Sequence, residues 1–126
     1  MRALLLVLLA LPLTACDADP NVVCPGITIP AIRIVVVDGA TGEPVAEGAV
    51  GVARDGAYVD SLYEDGYPVA TALVGAFGRG GVYDLTVEQA GYEPWGRSGV
   101  VAQSDGRSCP QVTAGRIEAR LERSSP

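Results

Sequence analysis

Gly81-Val82-Tyr83-Asp84-Leu85-Thr86-Val87-Glu88 is the stretch whose reading decides the fold class. Successive side chains of an extended chain point to opposite faces, so Tyr83, Leu85 and Val87 share one face and Asp84, Thr86 and Glu88 the other. The pattern predicts a strand half-buried against a core. Working outward, the same alternation returns near the C-terminus, where Ile117, Ala119 and Leu121 oppose Arg116, Glu118, Arg120 and Glu122. Ile32 to Val37 is nearly all β-branched, as a buried strand requires. Ala49 to Ala53 and Tyr58 to Tyr63 flank Asp55-Gly56 as the arms of a hairpin, and Gly99 to Ala102 follows a turn over residues 91–97. Asp-Gly pairs recur at residues 38–39, 65–66 and 105–106, each favouring a tight turn. Val69 to Phe77 suits either a strand or two turns of helix. The expectation is an all-β fold, an antiparallel β-sandwich of seven or so strands.

Composition removes several function classes. The chain has 126 residues with nine arginines, no lysine, no histidine and 15 acidic residues, for a net charge of −6. That length suits one domain. The acids are scattered, and phosphate-backbone binding needs concentrated Lys and Arg, so nucleic acid is not an expected partner. Without histidine the chain lacks the commonest general base and the commonest metal ligand. Without lysine it lacks Schiff-base and Walker-type phosphate chemistry. No metal and no cofactor are expected.

The N-terminus carries an address. Met1-Arg2 precedes an apolar run from Ala3 to Leu13, too short for the ~20 helical residues that cross a bilayer core of ~30 Å. It fits the apolar region of a secretory signal. The run ends Leu13-Thr14-Ala15-Cys16, which resembles the lipobox of bacterial lipoproteins, where the Cys becomes the lipidated mature N-terminus. The resemblance implies a signal peptide over residues 1–15, removed on export, and acyl chains on Cys16 that hold the protein to a cell membrane or outer membrane. Asp17, next to the lipidated position, resembles an inner-membrane retention signal. A plain signal peptide, with Cys16 kept as a structural thiol, is the alternative.

With Cys16 assigned to lipid, Cys24 and Cys109 remain as an even pair in an oxidising compartment. Each precedes a proline, which favours extended or turn backbone at the Cys. The pair is read as a structural disulfide, since a catalytic thiol would have no histidine to activate it.

Two stretches resemble the carboxypeptidase regulatory-like domain, a transthyretin-like (prealbumin-like) Greek-key β-sandwich. The first runs Ile34-Val35-Val36-Val37-Asp38, then Thr41-Gly42-Glu43-Pro44-Val45 and Gly48-Ala49-Val50-Gly51-Val52; the second is Gly81 to Tyr92. The likeness spans residues 31–121, with a lipidated N-terminus and tether over residues 16–30 and a tail over residues 122–126. Residues 64–80 depart from it, being long and rich in Gly and Ala. The resemblance implies a non-catalytic stabilising or adhesive module. A 5-hydroxyisourate hydrolase shares the sandwich but needs active-site histidines and a Tyr-Arg-Gly-Ser terminus, which this sequence lacks.

Candidate sites remain few. Asp55, Asp60, Glu64 and Asp65 form the densest acidic stretch, open to reading as a Ca²⁺ site, a glycosidase pair or solvated turn acids. Tyr58, Tyr63, Tyr67 and Trp95 are candidate ligand-facing aromatics. Tyr83 and Tyr92 are read as core or corner residues, and Gly78-Arg79-Gly80-Gly81 as a flexible connection. The functional expectation is a lipid-anchored envelope protein with a structural or protein-interaction module, not an enzyme. A carbohydrate- or peptide-binding lipoprotein is the alternative, and a carboxylate-dependent hydrolase follows it.

Overall fold

The computed structural model describes residues 23–125. The expected signal peptide over residues 1–15 and Cys16, the expected lipidation position, lie outside the described residues. Within them the protein is all-β, with nine strands in two sheets. The strands are β1 (Pro30–Asp38), β2 (Val50–Asp55), β3 (Tyr58–Ser61), β4 (Tyr63–Asp65), β5 (Ala72–Phe77), β6 (Gly81–Glu88), β7 (Trp95–Ser104), β8 (Val112–Thr113) and β9 (Ile117–Leu121). One sheet has the order β4-β5-β1-β9 and the other β3-β2-β6-β7-β8.

The alternation that decided the fold class places the core. Tyr83, Leu85 and Val87 are fully buried while Val82, Asp84, Thr86 and Glu88 face out. From the other sheet come Ile32, Ile34 and Val36 of β1, Leu73 of β5, and Ile117, Ala119 and Leu121 of β9. Both sets form one buried cluster, in which each large aliphatic side chain contributes about 1.5–3 kcal/mol by leaving water.

One open reading is decided and two details differ from the expectation. The segment left open between strand and helix is strand β5, whose inner residues face the core. The expected turn over residues 91–97 is shorter, because Trp95 to Arg97 already pair with β6. The sheets are also not wholly antiparallel: β1 pairs antiparallel with β5 but parallel with β9. The parallel pair follows from the path, since the chain crosses the whole second sheet before returning beside the start of β1, where the Ala114 N–H donates to the Ala31 carbonyl at 2.9 Å.

β3 and β4 are separated only by Leu62 and belong to different sheets, so one extended segment turns a corner between them. Leu62 is the pivot. It is buried, and its side chain presses on two strand glycines: a Cβ on Gly51 would lie 3.0 Å from Leu62 Cδ1 and one on Gly75 would lie 2.6 Å from Leu62 Cδ2. Two central strands therefore give up a side chain so that the corner can be filled.

Cys24 and Cys109 form a disulfide with Cα atoms 5.2 Å apart, tying the segment before β1 to the β7–β8 loop. Gly75→Ala is expected to cost about 1–3 kcal/mol by overpacking, with part of that loss recovered when Leu62→Ala is added, as urea unfolding of the two single variants and the double variant would reveal. Replacing both bridge cysteines by serine frees a loop 85 residues long, and a stability loss of about 4 kcal/mol is expected in the same assay.

Candidate functional site

Asp38 ends β1 and is the one charged residue buried among the described residues. Burying an unpaired carboxylate is costly, so its oxygens must find donors. They find four. Oδ1 accepts the backbone N–H groups of Ala40 at 2.8 Å and Thr41 at 3.1 Å. Oδ2 accepts the Tyr92 hydroxyl at 2.7 Å and Arg123 Nε at 2.8 Å.

Local sequence brings each donor there. Gly42 adopts a left-handed φ of 74°, which closes the turn after β1 so that Asp38 N–H reaches the Glu43 carbonyl at 2.8 Å. Gly91 turns the chain after β6 and delivers Tyr92. Beyond β9, Arg123 bridges to Tyr92, with Ser124 N–H donating to the Gly91 carbonyl and Glu93 N–H to the Glu122 carbonyl.

These contacts set the electrostatics. The Tyr92 hydroxyl first, then the Arg123 guanidinium and the two backbone N–H groups, hold the Asp38 carboxyl well below the usual carboxylate range, against the opposing pull of burial. The same hydrogen bond raises the Tyr92 phenol, helped by burial, so it stays a neutral donor. Arg123 is raised by its bond to Asp38. Chemically this is an ionised carboxylate saturated by donors, a clamp between β1, the Tyr92 corner and the C-terminal segment.

Two hollows flank the clamp. One, of about 510 Å³, is lined by Asp38, Gly39, Ala40 and the run from Arg120 to Arg123. The other, of about 170 Å³, is lined by Glu93, Pro94, Trp95 and the run from Arg120 to Glu122. Trp95 is half-buried, with the Arg97 guanidinium 5.4 Å from its ring centre.

The four aromatics singled out from the sequence are dispersed. Tyr58 lies at the far end of the second sheet from Trp95: it pairs with Asp55, whereas Trp95 pairs with Val87. Its ring lies under the Arg79 guanidinium at 3.8 Å and edge-on to Tyr83 at 6.3 Å. Tyr63 and Tyr67 are 64% and 97% exposed on the β4 side of the first sheet. Arg79 also reaches the Tyr83 hydroxyl at 3.1 Å and Asp55 at 3.0 Å. The Gly-rich segment around it, expected as a connection, forms a turn in which Arg79 N–H donates to the Ala76 carbonyl at 3.1 Å.

The acidic stretch is divided among separate partners. Asp55 pairs with Arg79 and Asp65 with Arg33, while Glu64 accepts the Gly48 N–H. Asp60 accepts the Ala76 N–H at 2.7 Å and so holds Ala76 at a left-handed φ of 51°, unusual for a residue with a side chain. Among the described residues no group of three or more acidic or Cys side chains is placed to hold a metal.

The clamp itself was missed by sequence reasoning, although Asp38 had a signal: a lone acid directly after an unbroken β-branched run. No protein-family model matches the chain, and no curated protein matches it.

Acid should unfold the protein through this site. An unfolded Asp38 takes up its proton near pH 4, while the folded one resists until lower pH, so the unfolded chain binds more protons in between. Stability is then complete above about pH 5 and falls as pH drops below 4, with Asp105 and Glu118, also lowered, adding in the same direction. Asp38→Asn is expected to be less stable at neutral pH and to lose about one proton's worth of slope below pH 4 when urea midpoints are followed against pH.

Proposed function

We propose that this chain is an exported, lipid-anchored cell-envelope protein whose body is a transthyretin-like, Greek-key β-sandwich acting as a non-catalytic structural or protein-interaction module. The observation that carries the reading is the Cys24–Cys109 bridge, which closes the body and leaves Cys16, at the lipobox-like Leu13-Thr14-Ala15-Cys16, outside it. A persistent structural disulfide suits an oxidising compartment. The non-catalytic half of the reading draws on Asp38 and the acids from Asp55 to Asp65, each held by donors of the protein itself.

The membrane is the first partner, through the N-terminal lipid, and an envelope protein is the second. A glycan or peptide ligand is the alternative, favoured by the hollow that Trp95 lines together with Glu93, Arg120 and Glu122.

The membrane-extracted protein is expected to have the mass of residues 16–126 plus acyl chains, less two hydrogens for the bridge. Cys16→Ser should move it to the soluble fraction. A free thiol at Cys16, or unchanged membrane retention of the variant, would overturn the anchor.

A further inference from the structure

β9 is the last strand of its sheet, and among the described residues no strand pairs with its outer side. Its main chain is aimed in a definite way. Leu121 accepts Gly39 N–H on the β1 side, whereas Glu122 accepts Glu93 N–H on the opposite side. Alternate residues of a parallel strand address the same neighbour, so Ile117, Ala119 and Leu121 direct their backbone groups to β1. Glu118 and Arg120 direct theirs to the open edge. Exposed edges of this kind are templates for another strand.

The side chains specify which strand. On the outer face the edge reads Arg116, Glu118, Arg120, Glu122, with Glu118 held by Arg120 at 2.8 Å and by Arg116 at 3.6 Å along its own strand. We propose that β9 pairs antiparallel with β9 of a second copy of this chain, about a two-fold axis at Ala119. In that register Glu118 stands opposite Arg120 of the second copy, and Arg120 opposite its Glu118. Four backbone hydrogen bonds form, because both members of each pair address the edge. Ile117 meets Leu121 on the core side.

Centring the axis on Ile117 also sets Glu118 against Arg116, but Arg116 lies ahead of the strand. Centring it on Leu121 needs the Glu122 carbonyl already held by Glu93, so the Ala119 register is the one that keeps both charged pairs inside β9. Centring the axis on Glu118 sets Glu118 against itself and Arg120 against Arg116, and centring it on Arg120 likewise opposes like charges, which is destabilising. A shift by one residue sets edge-directed backbone groups against residues committed to β1. Beyond Leu121 the edge is already taken, because the Glu93 N–H occupies the Glu122 carbonyl and Tyr92 bridges to Arg123. The pairing is therefore confined to Ile117–Leu121, and each partner chain diverges at its Arg116, which precedes the strand. This proposal deepens the interaction-module reading by naming the partner; it stands on the strand edge and does not require the lipid anchor.

The test is sedimentation of the full chain over a concentration series. Wild type should pass from one copy to two, less readily as salt rises. Glu118→Arg and Arg120→Glu, both on the outer face, should each weaken association by about tenfold or more, while melting close to wild type. Mixing the two variants should restore a dimer, because every cross-strand pair is then of opposite charge. Amide exchange on wild type provides a readout free of substitutions: Glu118 and Arg120 amides should gain protection as concentration rises, whereas those of Ile117, Ala119 and Leu121 are protected throughout. A chain that stays monomeric at all concentrations, including one whose own N-terminal residues cover the edge, would overturn the proposal. So would a Glu118→Arg variant that dimerises as wild type does, a mixture that stays monomeric, or a dimer that leaves the Glu118 and Arg120 amides in fast exchange.

Discussion

The Asp38 carboxylate is a buried charge, and a buried charge constrains everything around it. Its four donors come from three separate parts of the chain: the turn after β1, the corner after β6 and the segment after β9. None of these parts can drift without leaving a lone pair of a buried charge unpaired, which is costly. Because β1 is an inner strand of one sheet and β6 of the other, the clamp also fixes the sheets relative to each other at that end. At the opposite end Arg79, Tyr83, Asp55 and Tyr58 play a similar part within the second sheet.

Such an arrangement favours rigidity at this end of the body. A carboxylate held ionised by three kinds of donor has little capacity left for proton transfer, and the acids of the β3–β4 segment are similarly engaged. What the molecule offers to its surroundings is its rim: Trp95 and the two hollows, the open side of β9, and the exposed Tyr63 and Tyr67.

Much of the fold was legible because alternation is a local property. Tyr83, Leu85 and Val87, or Ile117, Ala119 and Leu121, announce their face within a few residues, and the Asp-Gly pairs announce the turns. The cysteine pairing followed once the lipobox-like setting of Cys16 put it aside and left Cys24 and Cys109 as an even pair. The parallel pairing of β9 with β1 was not legible, since it depends on the route of the whole intervening chain. Nor was the role of Gly51 and Gly75, whose missing side chains make sense only beside Leu62. The site was harder still: Asp38 and Arg123 are 85 positions apart, and no spacing rule joins a strand-end acid to an arginine in a C-terminal segment. The strand assignment around Ala72–Phe77 stayed open because alanine suits helix and buried strand alike.

The Cys24–Cys109 bridge has a mechanical consequence. A pull on the chain ahead of Cys24 enters the body at two points at once, along the main chain into β1 and across the sulfurs into the β7–β8 loop. β1 cannot be peeled away from its N-terminal end unless that loop comes with it. Tension is therefore divided between the two sheets rather than carried by β1 alone.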